Sequence, residues 1–76
     1  MSIEFNLYSS DGCHLCEQAL EICSAILPKA SLQVVDIVED DELVKRYGVH
    51  IPVLARIEDN KQLFWPFTSQ QVKELI

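Results

Sequence analysis

Ser9-Ser10-Asp11-Gly12-Cys13-His14-Leu15-Cys16 separates a segment with the pattern of a β-strand from one with the pattern of an α-helix. Two cysteines three residues apart at such a junction indicate thiol redox chemistry. The thiolate is the nucleophile in that chemistry, and the free amides at the start of a helix stabilise it. Cys13 therefore has the position of an attacking thiol. Cys16 lies one turn further along the same helix face, within reach to form or resolve a disulfide.

The other interpretation of this pair is half of a zinc site. A tetrahedral zinc site needs two further ligands, which normally come from a second close pair of residues. The remaining candidates are Cys23, His14 and His50, and they form no such pair in the sequence. The pattern therefore favours redox chemistry over a metal site or inert thiols, and we expect no metal.

The other cysteine and the two histidines have more than one interpretation. Cys23 lies in the apolar stripe of its helix, which predicts a buried and inert thiol. A protonated His14 would stabilise the Cys13 thiolate, whereas Asp11 would favour the thiol. A solvent-exposed His14 without a role is an equally good interpretation, so the sequence does not set the reduction potential. His50 has no partner in the sequence and is expected in a loop near the site.

The periodicity of apolar residues defines the elements on both sides of the cysteine pair. Ile3, Phe5 and Leu7 alternate with more polar residues, which predicts a strand. The expected elements are, in chain order, this strand, a helix from Cys13 to about Leu27, a strand at Leu32–Val38, a short helix from Asp40, strands at Val53–Glu58 and Lys61–Trp65, and a helix from Thr68. The apolar and β-branched run Leu32–Val38 predicts a strand with limited solvent exposure.

Local signals mark the ends of the last elements. Asp59-Asn60 predicts a hairpin turn. Thr68 and Gln71 have the spacing of a capping box, and Phe67 with Val72 has the spacing of a hydrophobic staple. The order is β-α-β-α-β-β-α in one domain, residues 1–76. The first β-α-β unit predicts a parallel strand pair, and the hairpin adds an antiparallel strand.

Composition excludes several classes of function. The chain has 76 residues and a formal net charge of −6, with a pI near 4.6. Without a basic stripe it is not a nucleic-acid binder. The sequence contains no apolar run of membrane-spanning length and its N-terminus lacks the pattern of a signal peptide. We therefore expect the protein in a reducing cytoplasm, and its three cysteines fit a catalytic pair plus a spare better than a disulfide framework. We also expect a monomer.

Two motifs together resemble the glutaredoxins of the thioredoxin fold. They are Cys13-His14-Leu15-Cys16 after the first strand and Val49-His50-Ile51-Pro52-Val53 before the third. The likeness covers the whole chain and is closest to short glutaredoxin-like proteins. It implies an α/β fold of thioredoxin/glutaredoxin type, a four-stranded mixed sheet flanked by helices. It also implies that Cys13 attacks and Cys16 resolves, that Pro52 is cis and faces them, and that the Ile51 backbone binds an extended substrate.

The sequence departs from the glutaredoxin pattern in two places. Many glutaredoxins carry a lysine shortly before the first cysteine, where this chain has Ser9-Ser10-Asp11. They also carry Gly-Gly and an acidic pair that hold the γ-glutamyl end of glutathione, where this chain has Trp65–Ser69. Thr68 and Ser69, at the start of the last helix, are the remaining candidates for that carboxylate. We therefore expect glutathione to act at most as a weak reductant.

The sequence thus predicts a thiol-disulfide oxidoreductase that needs no bound cofactor. Its catalytic residues are Cys13 and Cys16, and its substrate is a disulfide-containing protein or glutathione. The alternative is a non-catalytic interaction module of the same fold, because a fold does not fix a function. The segment Trp65–Phe67 would then form an apolar docking patch, although core packing explains these residues equally well.

Overall fold

The computed structural model describes residues 3–76 and contains the predicted elements in the predicted order. The strands are β1 (Phe5–Ser9), β2 (Leu32–Asp36), β3 (Val53–Arg56) and β4 (Lys61–Phe64). The α-helices are α1 (His14–Ile26), α2 (Asp41–Tyr47) and α3 (Ser69–Lys73), with 3₁₀ turns at Lys29–Ser31 and Ile37–Glu39. Met1 and Ser2, part of the predicted domain, lie outside the described residues. Within 3–76, no helix has both the length and the apolar character that crossing a bilayer requires.

The four strands form one mixed sheet in the order β2-β1-β3-β4. The β1-α1-β2 unit makes the parallel pair, and β3 runs antiparallel to both β1 and β4. This arrangement confirms the predicted fold, because the crossover helix and the hairpin each impose the strand direction expected of them.

Apolar side chains pack on both faces of the sheet. The larger cluster lies between the sheet and the helices α1 and α3, and its buried members are Phe5, Leu7, Ala19, Cys23, Leu27, Leu54, Phe67, Val72 and Leu75. The smaller cluster joins the other face to α2 through Ile37, Tyr47 and Val53. Tyr8 packs against this second cluster, with its ring stacked on Tyr47 at a centroid distance of 4.4 Å. The alternation along β1 therefore divides its side chains between two cores.

The predicted burial and length of the second strand are wrong. β2 is an edge strand, paired only with β1, and the side chain of Val34 is 48% exposed. The strand ends at Asp36 because its Oδ1 accepts a hydrogen bond from the Val38 amide at 3.0 Å. This local bond turns Ile37–Glu39 into a 3₁₀ segment instead of extending the strand.

The predicted punctuation of α3 and of the hairpin is confirmed. The Thr68 hydroxyl accepts a bond from the Gln71 amide, and the Gln71 side chain accepts one from the Thr68 amide. In the hairpin, Asn60 has a positive φ of 57°. The hydrogen bond that Arg56 donates to Asp59 lowers the pKa of that carboxyl to about 2.

Candidate functional site

Strand register brings the predicted site residues to one end of the sheet. β1 ends at Ser9, opposite Asp36 at the end of β2. β3 begins at Val53, which is opposite Tyr8 on one side and Phe64, the last residue of β4, on the other. Three segments therefore meet at this end, residues 10–13, 50–52 and 65–68. They carry Cys13, the Ile51-Pro52 step and the N-cap of α3, and Cys16 follows in the first turn of α1.

The cysteine pair lies at the start of α1. Gly12 adopts a φ of 77°, which side chains disfavour, and the Cys13 amide closes the turn on the Ser10 carbonyl at 3.2 Å. Cys13 is the N-cap residue of α1, and its Sγ accepts a hydrogen bond from the Cys16 amide at 3.2 Å. The pair forms a disulfide with a Cα–Cα distance of 5.2 Å. The loop and the helix thus hold both sulfurs in position for reversible bonding.

The two cysteines differ in exposure. Cys13 is half-buried, whereas Cys16 is only 5% exposed. A substrate disulfide therefore reaches the first sulfur more readily than the second. The hydrogen bond from the Cys16 amide also stabilises negative charge on the Cys13 sulfur when the disulfide is reduced. The geometry supports an attacking role for Cys13 and a resolving role for Cys16.

Three acidic residues line a cleft beside the pair. A cleft of about 350 Å³ lies beside both cysteines, and its lining includes Asp11, Glu17 and Asp36. These negative charges oppose thiolate formation, whereas the start of α1 favours it. The reactivity of Cys13 is set by the balance between the two.

His14 lies at the surface, beside Glu17. Its side chain is 88% exposed, and Nδ1 lies 3.5 Å from Glu17 Oε2. Across residues 3–76, no hydrogen bond joins the imidazole to Cys13. The structure therefore shows a solvent-exposed His14 whose nearest charged partner is a carboxylate.

Cys23 is the buried thiol that its position in the apolar stripe predicts. It is fully buried in the larger core, and this burial raises the pKa of the thiol from 9.0 to about 11. At neutral pH its thiolate fraction is about 100-fold lower than that of an exposed cysteine of ordinary pKa. Cys23 is thus separated from the pair in both access and ionisation.

The Ile51-Pro52 step has less free backbone than an extended substrate would use. This peptide bond is cis, as is Trp65-Pro66, and the Pro52 side chain is fully buried. The Ile51 amide donates to the Tyr47 carbonyl at 3.1 Å, and the Pro52 carbonyl accepts from the Trp65 amide at 3.2 Å. Only the Ile51 carbonyl is without a hydrogen bond among the described residues at this step. No pattern in the sequence predicts the hydrogen bond between the Ile51 amide and the end of α2.

Hydrogen bonds within the chain also take some of the backbone amides at the start of α3. The capping box uses the amides of Thr68 and Gln71, so Ser69 and Gln70 supply the remaining free amides of the first turn. Thr68 and Ser69 are both exposed. The helix has five residues, which limits its dipole. The structure thus brings Thr68 and Ser69 to the site end of the sheet with half of the local donors already used.

Of the two interpretations of Trp65–Phe67, an apolar docking patch or core packing, the structure shows core packing for Phe67. Phe67 is 4% exposed and belongs to the larger core, and Trp65 packs edge-on against it at 5.1 Å. The exposed apolar residues near β3 and β4 at this end include Val49, which is 91% exposed, and Phe64, which is 50% exposed. His50 is exposed in the loop before β3, and its ring packs against Phe64 at 5.5 Å. No sequence signal distinguishes Phe64 from a core residue, because its exposure follows from the place of β4 at the sheet edge.

Metal-binding side chains do not gather at this end. Over the described part of the chain, no group of three or more His, Cys, Asp or Glu side chains has an arrangement that would hold a metal ion. His14 and His50 belong to different segments, and each faces a neighbour of its own.

Comparisons with known proteins agree with this architecture. The family model described as "Glutaredoxin-like domain (DUF836)" matches residues 4–76. The X-ray structure of the Northeast Structural Genomics target protein XcR50 from X. campestris is similar to the chain, with 34% identity and a TM-score of 0.81 over 93% of this chain and 92% of that one. The solution NMR structure of protein Ne2328 from Nitrosomonas europaea shares 25% identity, with a TM-score of 0.79 over 96% and 89% of the two chains. No curated protein matches the chain.

Proposed function

The chain belongs to the glutaredoxin-like domain (DUF836) family, and from this membership and its cysteine pair we propose that it is a thiol-disulfide oxidoreductase. The observation that carries the proposal is the position of Cys13 as N-cap of α1, with Cys16 one turn further on. A half-buried sulfur at a helix start, beside a buried partner thiol, is the arrangement that dithiol exchange requires.

In the proposed reaction, the reduced protein transfers two electrons to a substrate disulfide. The Cys13 thiolate attacks one substrate sulfur, forms a mixed disulfide and releases the other substrate sulfur as a thiolate that takes up a proton. Cys16 then loses its proton and attacks Cys13 Sγ, which releases the second substrate thiol. The protein is left with the Cys13–Cys16 disulfide, and an external thiol restores the dithiol.

We propose a protein disulfide as the main substrate and glutathione as a weak reductant. The capping box takes two amides at the start of α3, and the Ile51 amide is bonded to Tyr47, so few backbone donors remain for the tripeptide. The carboxylates near the pair also repel its two carboxylate ends. Exposed Val49 and Phe64 offer apolar surface to a larger substrate. We further propose that the protein is a monomer and that it acts in a reducing cytoplasm, where external thiols return it to the dithiol form.

Stoichiometric exchange tests the proposal. The reduced protein is mixed with an equal amount of a small disulfide-bonded protein, the reaction is quenched with acid, and both are examined by mass spectrometry. The substrate should gain two hydrogens while the protein loses two and acquires the Cys13–Cys16 bond. Cys23→Ala serves as the matched control, and it should exchange at the rate of the unmodified protein because Cys23 is buried away from the pair.

The same experiment separates the proposal from a non-catalytic interaction module. A module would hold a partner without any change of mass in either chain. Retained binding with no change of mass in either chain, when the fully reduced protein is mixed with the substrate in the absence of added thiol, would contradict the oxidoreductase function.

A further inference from the structure

The cleft beside the cysteine pair combines apolar and acidic groups. It lies on the face of the sheet that α1 covers, because Leu7 of its lining belongs to the larger core and Val34 is opposite Leu7 in the strand register. Val34 and Leu20 contribute exposed apolar surface. Both also line an adjoining groove of about 470 Å³ between α1 and β2, whose other lining residues are Ser24, Leu27, Lys29 and Leu32. A peptide chain leaving the cysteine pair in this direction first meets the apolar side chains of Leu20 and Val34.

The charge of the cleft has one sign. Its lining includes the carboxylates of Asp11, Glu17 and Asp36, and none of its described lining residues is a lysine or an arginine. Glu17 Oε2 lies 3.5 Å from His14 Nδ1, whereas Asp11 and Asp36 form no ion pair within residues 3–76. Asp36 uses Oδ1 for the Val38 amide, which leaves its other oxygen for a further donor. The cleft is therefore complementary to a positive charge next to Cys13.

Ser9 supplies an independent sign of a polar ligand. It is 9% exposed, its side chain lines the same cleft, and its hydroxyl has no hydrogen-bond partner in the described part of the chain. The Oγ keeps access to the cleft, because no fully buried side-chain N or O atom among the described residues lacks a partner, so this hydroxyl is free to bond to water or to a ligand there. Ser9 lies two residues before Asp11 and four before Cys13, and it lines the cleft with both.

We propose that this cleft selects disulfides in which a lysine or arginine directly precedes the substrate cysteine and an apolar residue directly follows it. The basic side chain lies among Asp11, Asp36 and the Ser9 hydroxyl, and the apolar residue packs on Leu20 and Val34. The inference rests on the proposed function, because the selection acts on the disulfide that Cys13 attacks. It assigns the substrate class to a surface on the opposite side of the pair from the Ile51-Pro52 step.

Three peptides of the form alanine-X-cysteine-leucine test this selection. Each carries its cysteine as a mixed disulfide with thionitrobenzoate, and X is lysine, glutamine or glutamate. Attack by the reduced protein releases the same coloured thiolate from each, so the rate constants are directly comparable. We expect the order lysine, glutamine, glutamate. The lysine-to-glutamate ratio should fall by roughly two- to fivefold for each carboxylate removed, as for exposed ion pairs.

The variants are Asp11→Asn and Asp36→Asn, alone and together. Asparagine keeps an acceptor oxygen, so the bond from the Val38 amide persists and the single variants are expected to fold. Asp41→Asn is the matched control, because Asp41 is an exposed carboxylate of α2 that does not line the cleft. The control removes the same charge from the molecule and should leave the ratio unchanged.

The outcomes separate the inference from the proposed function. A ratio that falls equally in Asp41→Asn, or that stays constant in both cleft variants, would overturn the selection while leaving disulfide exchange intact. Failure of all three peptides to react would overturn the proposed function itself. A ratio that falls only in the cleft variants supports both.

Discussion

Two helices begin at the same end of this molecule, and their first turns are capped in different ways. α1 begins at a sulfur atom, because Cys13 is its N-cap residue and accepts one bond from the Cys16 amide. α3 begins at a hydroxyl, because Thr68 caps the helix and Gln71 completes the reciprocal bond. Both arrangements stabilise a helix start, but only the sulfur is also a nucleophile.

The start of α1 therefore carries the reactive group, whereas the start of α3 has a structural role. At α3, two amides are committed to a closed local network. At α1, the capping atom is the same atom that exchanges a covalent bond with a partner cysteine. The glutaredoxin resemblance places substrate contacts at both helix starts, whereas the structure leaves α1 as the better equipped of the two.

The largest expected effect comes from removing the nucleophilic sulfur at the start of α1. Cys13→Ser should reduce disulfide exchange to the rate measured without protein, because a serine hydroxyl is not ionised near neutral pH. The cap itself should persist, since serine is a preferred N-cap residue. The measurement is the release rate from a model disulfide, together with the free energy of unfolding of the reduced protein. Substantial residual exchange in this variant would contradict the role of Cys13.

Removing the cap of α3 should lower the stability of the protein, whereas Cys13→Ser should lower its exchange rate. Thr68→Ala eliminates the acceptor for the Gln71 amide and should cost about 1 kcal/mol of the free energy of unfolding. Thr68→Ser keeps the hydroxyl and is the matched control. Urea denaturation of the three proteins measures the difference. Equal stability of Thr68→Ala and the unmodified protein would show that the capping box contributes nothing.

The pH dependence of stability distinguishes the buried thiol in the middle of α1 from the reactive thiol at its start. The pKa of Cys23 is about 11 in the folded protein against 9.0 for the ordinary thiol, so the folded state holds its proton more tightly. The contribution of the protonated Cys23 thiol to the free energy of unfolding is fully present below pH 9. It is lost as the pH rises from about 9 to 11, because the unfolded chain releases the proton first. Cys23→Ala removes this group, and its stability should decline less over that range. Parallel pH curves for the two proteins would contradict the burial of the thiol.

The smallest expected effect concerns glutathione at the start of α3. We expect binding to Cys16→Ser in the millimolar range, which corresponds to about −4 kcal/mol, because few amides are free at the site. NMR titration of the amide signals gives the affinity and the location. Micromolar binding with shifts centred on Thr68 and Ser69 would show that the capping box does not limit this ligand.

Local signals in the sequence predict most of the fold. The Asp59-Asn60 turn, the capping box and the cysteine pair each depend on residues close together in the chain, and each has the predicted form. The parallel β1–β2 pair follows from the crossover connection alone. These features are local enough for spacing and residue type to determine them.

The remaining features depend on which strands become edges and on contacts between distant segments. β2 and β4 are the two edges of the sheet, which exposes Val34 and Phe64 although both look like core residues in the sequence. The burial of Phe67 follows from the docking of α3 on the sheet. Asp36 joins Asp11 at the cleft only because the parallel register places the end of β2 beside the loop after β1. No local pattern carries this information.

Trapping the exchange intermediate tests the central claim most directly. Reduced Cys16→Ser is mixed with a disulfide-bonded protein, quenched in acid, digested and examined by mass spectrometry to locate the mixed disulfide. The account predicts an adduct on Cys13 and none on the buried Cys23. An adduct on Cys23, or on Cys16 in the Cys13→Ser variant at a comparable rate, would contradict the assignment of Cys13 as the attacking thiol.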